Sequence, residues 1–317
     1  MSVKRDLDLL VLGDVNPDLV LSDRSMDVAF GQAETLVDDA QLTVGGSGAI
    51  MACAAARLGL RTALAGLVGE DEFGAFMLRS VSARGVDVGG VVVDAGVHTG
   101  LTVVLARPGD RAILTFPGAV AAMTTDHLDA GLMSRARHVH VSSFYLQTAL
   151  ALGLPRVLGP ARADGATVSV DPNWDPSGGW DGGLLELLSD VDVLIPNEAE
   201  ACRIAGLPDV EAAAARLAAR GPLVAVKLGP AGALLVPPGG GSLVRAPAPR
   251  GLTEPVDAVG AGDAFDAGLL AGLLRGEPPA DALALGCACG ALSLRAAGGT
   301  GAQPTLDEAM ASRRGGG

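Results

Sequence analysis

The sequence is short of several residue types and patterns that mark well-known protein classes. Lysine occurs only at Lys4 and Lys227, and neither follows a glycine. The G-x-x-x-x-G-K-[ST] loop of P-loop enzymes is therefore missing. Neither Gly46-Ser47-Gly48 nor Gly260-Ala261-Gly262 continues into G-x-G-x-x-G, which disfavours a dinucleotide-binding dehydrogenase.

Long apolar runs and paired cysteines are missing too. The Ala/Leu-rich stretches are broken by Arg, Asp and Gly before they reach the length of a membrane span, so no membrane partner is expected. Near the start, the apolar run Leu7–Leu12 is too short for the core of a signal peptide. The four cysteines form no C-x-x-C pair and lie among small apolar residues. Free thiols in a cytoplasmic protein are therefore expected.

Positive charge is also in short supply. The 317 residues carry a net charge of −13 and are 49% hydrophobic. An acidic chain gains nothing electrostatically from a nucleic-acid backbone, so nucleic acid is excluded as a partner. The length and apolar content suit one α/β domain with a large core.

Short apolar runs alternate with longer amphipathic stretches along most of the chain. Strands are predicted at Leu7–Leu12, Thr62–Val68, His138–Val141, Thr167–Val170, Val191–Ile195 and Leu223–Leu228. Helices are predicted at Ile50–Leu58, Glu72–Arg84 and Val210–Arg220. This alternation predicts an α/β fold, a doubly wound and mostly parallel sheet with helices on both faces.

Two segments, about 20–44 and 91–116, interrupt this alternation. Apolar and polar residues alternate in Gly100–Thr115, and Pro108-Gly109-Asp110 is typical of a turn. We expect half-exposed antiparallel strands that form a small lid over the main sheet. No linker or repeat is visible, so residues 1–317 are expected to form a single domain.

The strongest chemical signal is the run from Asp257 to Asp263, in which Gly260-Ala261-Gly262 leads directly into an apolar helix. The free N–H groups and the dipole of a helix start bind anions. Asp263 at this junction could accept the proton of an attacking hydroxyl. Taken alone, the loop is more typical of a turn with an acidic helix cap, because glycine loops are common.

Six segments in order resemble the ribokinase-like, or PfkB, family of carbohydrate kinases. They are Gly13-Asp14-Val15-Asn16-Pro17-Asp18, Gly45-Gly46-Ser47-Gly48-Ala49, Asp171-Pro172-Asn173, Asn197-Glu198-Ala199-Glu200, Val226 to Gly232, and Asp257 to Asp263. The resemblance spans nearly the whole chain. It implies a ribokinase-like fold that transfers the γ-phosphoryl group of ATP to a hydroxyl of a small sugar or polyol.

The resemblance also implies a role for each matching residue. Asp263 matches the catalytic base, and the anion hole matches Gly260, Ala261 and Gly262. The positions that hold or border the acceptor are Asn16, Asp18, Gly45, Gly46 and Ser47. Asn197 and Glu200 match the pair that positions Mg²⁺ through water, and the nucleotide segment matches Lys227, Gly229 and Gly232. A monovalent cation such as K⁺ is implied beside Asp257. Structural roles remain open for several of these residues, such as a turn cap at Asp18 or a first-turn helix acid at Glu200.

The chain departs from the family pattern at four positions. Ile50 stands where the family usually has a substrate-binding Asn, and Ser47 where ribokinases often have Lys. Ala258 replaces the usual Thr, and Cys287 replaces an Asn near the adenine pocket. Ile50 and Ser47 argue against a plain ribokinase. Gln147 is a further candidate substrate contact, although a surface position is equally consistent with the sequence.

Other activities on the same fold remain open. A nucleoside kinase would need a platform for the base, for which Phe116, Phe144, Tyr145 and Ile50 are candidates. A phosphosugar kinase would need a cation on the lid, at Arg107 or Arg111, and ranks below a kinase for an unphosphorylated sugar. A non-catalytic sensor would have no need of Asp263 or the N-x-x-E pair. Lid edges in this family often pair, which favours a homodimer.

Overall fold

The computed structural model describes residues 5–28, 30–107, 110–249 and 256–314. In these ranges the chain forms strands and helices in alternation. The strands are β1 (Leu7–Leu12), β2 (Pro17–Ser22), β3 (Asp39–Val44), β4 (Thr62–Gly69), β5 (Asp87–Asp94), β6 (Leu101–Arg107), β7 (Asp110–Phe116), β8 (Ala136–Val141), β9 (Thr167–Val170), β10 (Val193–Leu194), β11 (Leu223–Lys227), β12 (Ala233–Val236) and β13 (Val244–Ala246).

Helices of very different lengths connect these strands. They are α1 (Ser47–Arg57), α2 (Glu72–Ser82), α3 (Ala119–Ala122), α4 (Ala130–Arg135), α5 (Thr148–Ala151), α6 (Leu154–Ala163), α7 (Leu184–Leu187), α8 (Glu198–Ala205), α9 (Val210–Ala218), α10 (Ala261–Leu274), α11 (Pro279–Ser293) and α12 (Leu306–Arg314). In the described residues, no helix is both long and apolar enough to span a bilayer.

The large sheet has the strand order β13-β12-β11-β10-β9-β8-β1-β4-β5. The seven strands from β11 to β5 run parallel, and β12 and β13 are antiparallel at one edge. The chain leaves β1 toward β4 on one side and later returns to β8 on the other. The order therefore reverses between β1 and β8, where ligands bind in open α/β sheets.

Two hydrophobic cores cover the two faces of this sheet. Along β1, Leu10 and Leu12 face one core, whereas Leu9 and Val11 face the other. This alternation follows from the two-residue period of a strand. Because both faces are buried, five of the six residues of the strand are apolar, and the predicted doubly wound α/β fold is confirmed.

A second, four-stranded sheet has the order β3-β2-β6-β7 and is built largely from the two segments predicted to form a lid, so it is called the lid sheet. The bounds predicted for these segments differ from the strands that the structure shows. The segment 91–116 began too early, because Val91 to Asp94 belong to β5 of the large sheet. The lid sheet starts at Pro17 rather than at residue 20, and β2 pairs with β6 in parallel, so the sheet is mixed rather than antiparallel. The predicted turn residues Pro108 and Gly109 lie outside the described residues.

The predicted strands and helices are otherwise confirmed, with shifted ends. The run Val191–Ile195 pairs only at Val193–Leu194. Helix α1 begins at Ser47 rather than at Ile50. Consequently Gly46 and Ser47 form a helix start, where unpaired N–H groups need acceptors.

Candidate active site

The carboxyl ends of four strands of the large sheet bring polar residues together around the switch point. Asp14 and Asn16 follow β1, Ser143 follows β8, Asp171 follows β9, and Lys227 ends β11. Each is a polar residue at the end of a largely apolar strand or within four residues after it, so it lies where the strands open into the crevice. Helices α1 and α10 start beside this edge.

Asp14 closes the start of α1. Its carboxylate accepts hydrogen bonds from the backbone N–H groups of Ser47 and Gly48, at 3.0 and 2.8 Å. The backbone at Gly46 has φ of 76°, and a side chain there would meet the carbonyl of Asp14 and the amide of Asn16. Only glycine allows this close approach. The space over Gly46 is therefore filled by the protein itself.

Asn16 and Asp18 join the lid to the large sheet. The amide nitrogen of Asn16 donates to Thr102 Oγ1 on β6 at 3.2 Å, and the Asp18 carboxylate packs directly over Gly45. Burial raises the pKa of Asp18 to about 7, helped by the nearby carboxylates of Asp14 and Asp257, while a hydrogen bond with Thr102 opposes the shift. The side chains that the sequence assigned to the acceptor thus do converge.

Asp263 lies in the first turn of α10 and is buried. The helix is preceded by Gly260, whose φ is 76° and whose missing side chain leaves room for Gly299. The first N–H groups of this helix, at Ala261 and Gly262, have no intrahelical acceptor. This is the arrangement the sequence predicted, a loop of small residues that exposes backbone donors beside a carboxylate.

The environment of Asp263 favours its protonated form. Burial raises the pKa of Asp263 well above its ordinary value, and the charges of Asp171 and Asp14 add to this. Lys227 and a hydrogen bond from the Ser47 hydroxyl act in the opposite direction. A carboxylate with a raised pKa accepts a proton more readily at neutral pH, as a general base must.

A hydrogen-bonded chain of side chains holds Ser47. Asn173 Nδ2 donates to Ser47 Oγ at 3.2 Å and to Ser143 Oγ at 3.0 Å. Asn173 and Ser143 have φ of 55° and 51°, in the left-handed region that few non-glycine residues adopt. Such strain concentrates at functional sites.

Lys227 is buried among carboxylates rather than exposed at a strand end. Its Nζ lies 2.9 Å from Asp171 and 3.1 Å from Asp266. Burial acts to lower the pKa of Lys227, but Asp171, Asp266 and Glu200 together raise it above its usual range. Burial also raises the pKa of Asp266 well above its ordinary value. Burial acts to raise the pKa of Asp171 too, but Lys227 and hydrogen bonds from Asp266 and the Asn173 N–H together lower it. The two carboxylates therefore differ, and Asp171 is the one whose charged form is favoured beside Lys227.

Asn197 and Glu200 form a reciprocal cap at the start of α8. Asn197 Oδ1 accepts from the Glu200 N–H at 2.9 Å, and the Glu200 carboxylate accepts from the N–H and Nδ2 of Asn197, at 2.8 and 2.6 Å. Burial raises the pKa of Glu200 to about 7, with Asp171 contributing and Lys227 opposing. Each carboxylate oxygen retains a lone pair for a water of Mg²⁺, which keeps several waters in proteins. The described residues contain no cluster of three or more potential metal ligands.

A cleft of about 460 Å³ opens beside the start of α10. One wall contains Lys227, Gly229 and Gly232, the residues that the resemblance assigned to the nucleotide. The opposite wall includes the helix start and α11, with Ala258, Ala261, Gly262, Phe265, Cys287 and Gly290. This mostly apolar cleft, with backbone donors at one end, is suited to a planar base and a phosphate chain.

Asp257 and Ile50 lie behind the loop. The Asp257 carboxylate accepts from the N–H groups of Val259 and Gly298, at 3.0 and 2.9 Å, and lies 3.7 Å from Arg111 of the lid. Ile50 is buried and packs on Gly299, beneath Gly260. Ile50 therefore supports the loop and does not present a side chain to the acceptor pocket.

Gln147 is buried, so a surface position is excluded. Its Nε2 donates to the carbonyl oxygen of Ser142 at 2.5 Å and, more weakly, to that of Leu12 at 3.4 Å. Its Oε1 is buried without a partner among the described residues. The side chain ties the ends of β1 and β8 together beneath the site.

Sequence reasoning assigned no role to Asp14, Ser143, Asn173 or Asp266. Asp14 and Asn173 stood inside segments that resemble the family, and Asp266 is a carboxylate within an otherwise apolar helix. A charged residue in such a helix, or directly after an apolar strand, is the signal that could have found them.

Comparisons with known proteins agree with this geometry. The family model described as pfkB family carbohydrate kinase matches residues 6–306. The ATP-dependent ribose-1-phosphate kinase of Halopiger xanaduensis is 34% identical over 304 residues, which cover 96% of this chain and 97% of that protein. The 2-dehydro-3-deoxygluconokinase of Bacillus subtilis is 31% identical, over 81% of this chain and 82% of its own. The chain belongs to the pfkB family of carbohydrate kinases.

Solved structures show the same fold. A ribokinase of Arabidopsis thaliana, complexed with ribose and ATP, superposes with a TM-score of 0.83 at 23% identity, covering 97% of this chain and 99% of that chain. A ribokinase II from E. coli, in complex with ATP and Mg²⁺, also has a TM-score of 0.83 at 23% identity and covers the same shares. The predicted ribokinase-like fold is confirmed.

Proposed function

We propose that this sugar kinase transfers the γ-phosphoryl group of ATP to a hydroxyl of a small sugar or polyol, with Asp263 as the general base. The position of Asp263 carries the proposal. It is a buried carboxylate that contacts Ser47 on the acceptor side, while the preceding residue, Gly262, lines the cleft. A hydroxyl between Asp263 and the cleft would lie in line with an arriving phosphoryl group.

The protein's own groups have separate tasks in this reaction. Asp18 and Asn16 orient the acceptor, and Asp263 takes the proton of its hydroxyl. The N–H groups at Gly260, Ala261 and Gly262 stabilise the charge on the transferring group, as preorganised donors do in a water-poor site. We propose that residues 1–317 act as one domain whose lid excludes water from the acceptor.

The nucleotide is proposed to lie in the cleft between Lys227, Gly229 and Gly232 and helix α10. Asn197 and Glu200 would hold the hydration shell of Mg²⁺ at its phosphate end. Mg²⁺ supplies neutralisation of the phosphate charge. The buried pair of Lys227 and Asp171 keeps a positive charge close to Gly262, since the Lys227 ammonium lies 3.5 Å from the position of a side chain there.

A nucleoside kinase loses support because the side chains proposed to stack on the base are not accessible to it. Phe144, Tyr145 and Ile50 are 2%, 6% and 3% exposed and belong to the two cores. Phe116 lies on the lid, on the face opposite to the row of Thr102 and Thr115. A base therefore has no aromatic ring to stack on among these four candidates.

A phosphorylated sugar is the second candidate acceptor. The relative from Halopiger xanaduensis is named a ribose-1-phosphate kinase. In this chain Arg111 approaches the loop before α10 from the lid. These two observations raise the phosphosugar reading above its rank in the sequence-based prediction.

Two further proposals concern the surroundings of the reaction. The lid presents Leu42, Leu114 and Phe116 as exposed side chains on one face of its sheet, which supports a homodimer through the lid. The second proposal is that K⁺ binds beside Asp257. Light scattering of the protein and of Leu114→Lys tests the first, and activity in KCl against choline chloride tests the second.

An ADP-release assay with ATP and Mg²⁺ tests the proposed function. The panel consists of pentoses, hexoses, keto-sugar acids, inositols and nucleosides, with their phosphate esters. We expect turnover of a sugar, a polyol or one of their phosphate esters at neutral pH and at the ATP concentrations found in cytoplasm, where we propose that the enzyme acts. Turnover of nucleosides alone would move the function to that class, and binding without any turnover would indicate a sensor.

A further inference from the structure

We propose that the acceptor sugar already carries a phosphate group and that Arg111 of the lid binds it. The proposal rests on the proposed kinase function and names its substrate class. It follows from which lid cation faces the site, from the loose pairing of that cation, and from the charge of the surrounding pocket.

The two faces of the lid are distinguished by its strand register. Thr102 of β6 pairs with Thr115 of β7, and Asn16 donates to Thr102, so this row faces the acceptor. Side chains two and four residues further along a strand point the same way. Arg111, four residues before Thr115, therefore lies on the acceptor face.

Cationic side chains occur at only two positions in the four lid strands, Arg107 and Arg111. Arg107 lies on the opposite face, because its register partner is Asp110. There Arg107 forms an ion pair of 2.9 Å with Asp110, which neutralises its charge. Arg107 and Arg111 were the two alternatives for a phosphate-binding cation on the lid. The structure therefore favours Arg111.

The guanidinium of Arg111 is only loosely held. Its one ion pair among the described residues, with Asp257, has a length of 3.7 Å, and the side chain is 40% exposed. The oxygens of Asp257 already accept two backbone N–H groups. The planar fork of donors on Arg111 thus remains available for a phosphate, whose geometry it matches bidentately.

The guanidinium also lies at the edge of the acceptor pocket. Asp257, its neighbour, is close enough to Asp18 to raise the pKa of that acid. Asp14 and Asp263 add further carboxylates to the pocket. A phosphate ester entering this acidic surrounding needs a cation, whereas a neutral sugar does not. Arg111 supplies that cation at the rim.

Steady-state kinetics on matched substrates test the proposal. Ribose is compared with ribose 1-phosphate, and fructose with fructose 6-phosphate, in the wild type, Arg111→Gln and Arg107→Gln. We expect kcat/KM to be higher for at least one ester than for its parent sugar. Arg111→Gln should lower the value for that ester about 10- to 100-fold, as for a lost hydrogen bond to a charged group. The parent sugar should change by no more than about fivefold.

The control variant and the pattern of losses separate the possible roles of Arg111. Arg107→Gln removes the same charge from the other face of the lid and should leave the preference for the ester intact. An equal loss for ester and parent sugar in Arg111→Gln would show that Arg111 only holds the lid to Asp257, and would overturn the proposal. A wild type that prefers the parent sugars would overturn it as well.

A binding measurement keeps this inference separate from the proposed function. Calorimetric titration of each ester and each parent sugar requires no turnover. Tighter binding of an ester that depends on Arg111, without ADP release, would support the phosphate site while the kinase proposal fails. Turnover of free sugars with no ester bound more tightly would leave the kinase proposal standing and overturn the phosphate site.

Discussion

Lys227 Nζ lies 3.1 Å from Asp266 Oδ1, one turn of helix α10 beyond Asp263. This buried pair connects the end of β11 to the helix that carries the proposed base. Lys227 contacts Asp171, directly after β9, at the same time, so one ammonium group links helix α10 to the ends of two strands.

Replacing Lys227 by Met should destabilise the protein by about 3–5 kcal/mol, because Asp171 would keep a buried and unpaired charge. The free energy of unfolding from urea denaturation measures this. Arg245→Met is the matched control, since Arg245 forms an exposed ion pair with Glu211 and should cost no more than about 1 kcal/mol. Equal urea midpoints for the two variants would contradict the account of the buried network.

Replacing Asp263 by Asn should lower kcat by about 10² or more, the low end for loss of a general base. The variant should keep the melting temperature of the wild type or exceed it, because burial already disfavours the charged form of Asp263. Its remaining activity should lose the pH dependence of the wild type. Wild-type kcat in a variant that binds both substrates would remove Asp263 from the reaction.

Replacing Asp18 by Asn should stabilise the free protein more at pH 8 than at pH 5. The pKa of Asp18 is raised from 3.8 to about 7, so the folded state binds the extra proton between these values. Its contribution to stability is present below pH 4 and is lost as the pH rises through 7. The neutral amide avoids that loss, while the affinity for the acceptor should fall. Melting temperatures at both pH values, with Asp110→Asn as an exposed control, measure the difference. An equal rise in melting temperature at the two pH values would contradict the raised pKa of Asp18.

Substitution by alanine should have different effects at Gly260 and at Gly262. A side chain at Gly260 would lie 2.6 Å from the Cα of Gly299, at a φ of 76°, so Gly260→Ala should destabilise the protein by at least about 1 kcal/mol and abolish most activity. At Gly262 the nearest atom is Lys227 Nζ, at 3.5 Å. Gly262→Ala should therefore fold normally but lower kcat, because the methyl group covers the phosphate position. Thermal unfolding combined with kinetics distinguishes the two, and equal melting temperatures would be unexpected.

Asn173 allows its backbone and side chain to be tested separately. Asn173→Gly relaxes the φ of 55° and removes the hydrogen bonds to Ser47 and Ser143. It should keep most of the stability but lower kcat several-fold, since Ser47 loses its support. Asn173→Ala should lose stability as well, by about 1–2 kcal/mol in the left-handed region. Undiminished kcat in Asn173→Gly would show that the amide serves the fold alone.

The alternating apolar runs determined the layers of this protein. A strand such as β1 is apolar at five of its six positions because both faces are covered, and that pattern is visible in the sequence. The loop at Gly260 to Asp263 was equally readable, because a glycine-rich turn into an apolar helix is local in sequence. The motifs in order gave the family for the same reason.

The small sheet was less readable. Pairing of β2 with β6 joins segments about 80 residues apart, and a half-exposed strand has the same period whether its neighbour is parallel or antiparallel. Val91 to Asp94 were misassigned because their apolar residues suit either sheet. Only the tertiary structure decided the membership of β5.

Three functional relationships likewise required the folded chain. Ile50 was expected at the acceptor, but helix α1 begins at Ser47 and directs Ile50 onto Gly299. Lys227 and Asp266 are 39 residues apart, and no local pattern predicts their ion pair. Arg111 and Arg107 look alike in the sequence, and the register of β6 with β7 alone places them on opposite faces. The sequence by itself determined the fold, the family and the residues able to carry charge and protons. The tertiary structure decided which of these meet, because contacts between distant segments depend on how the sheets and helices pack.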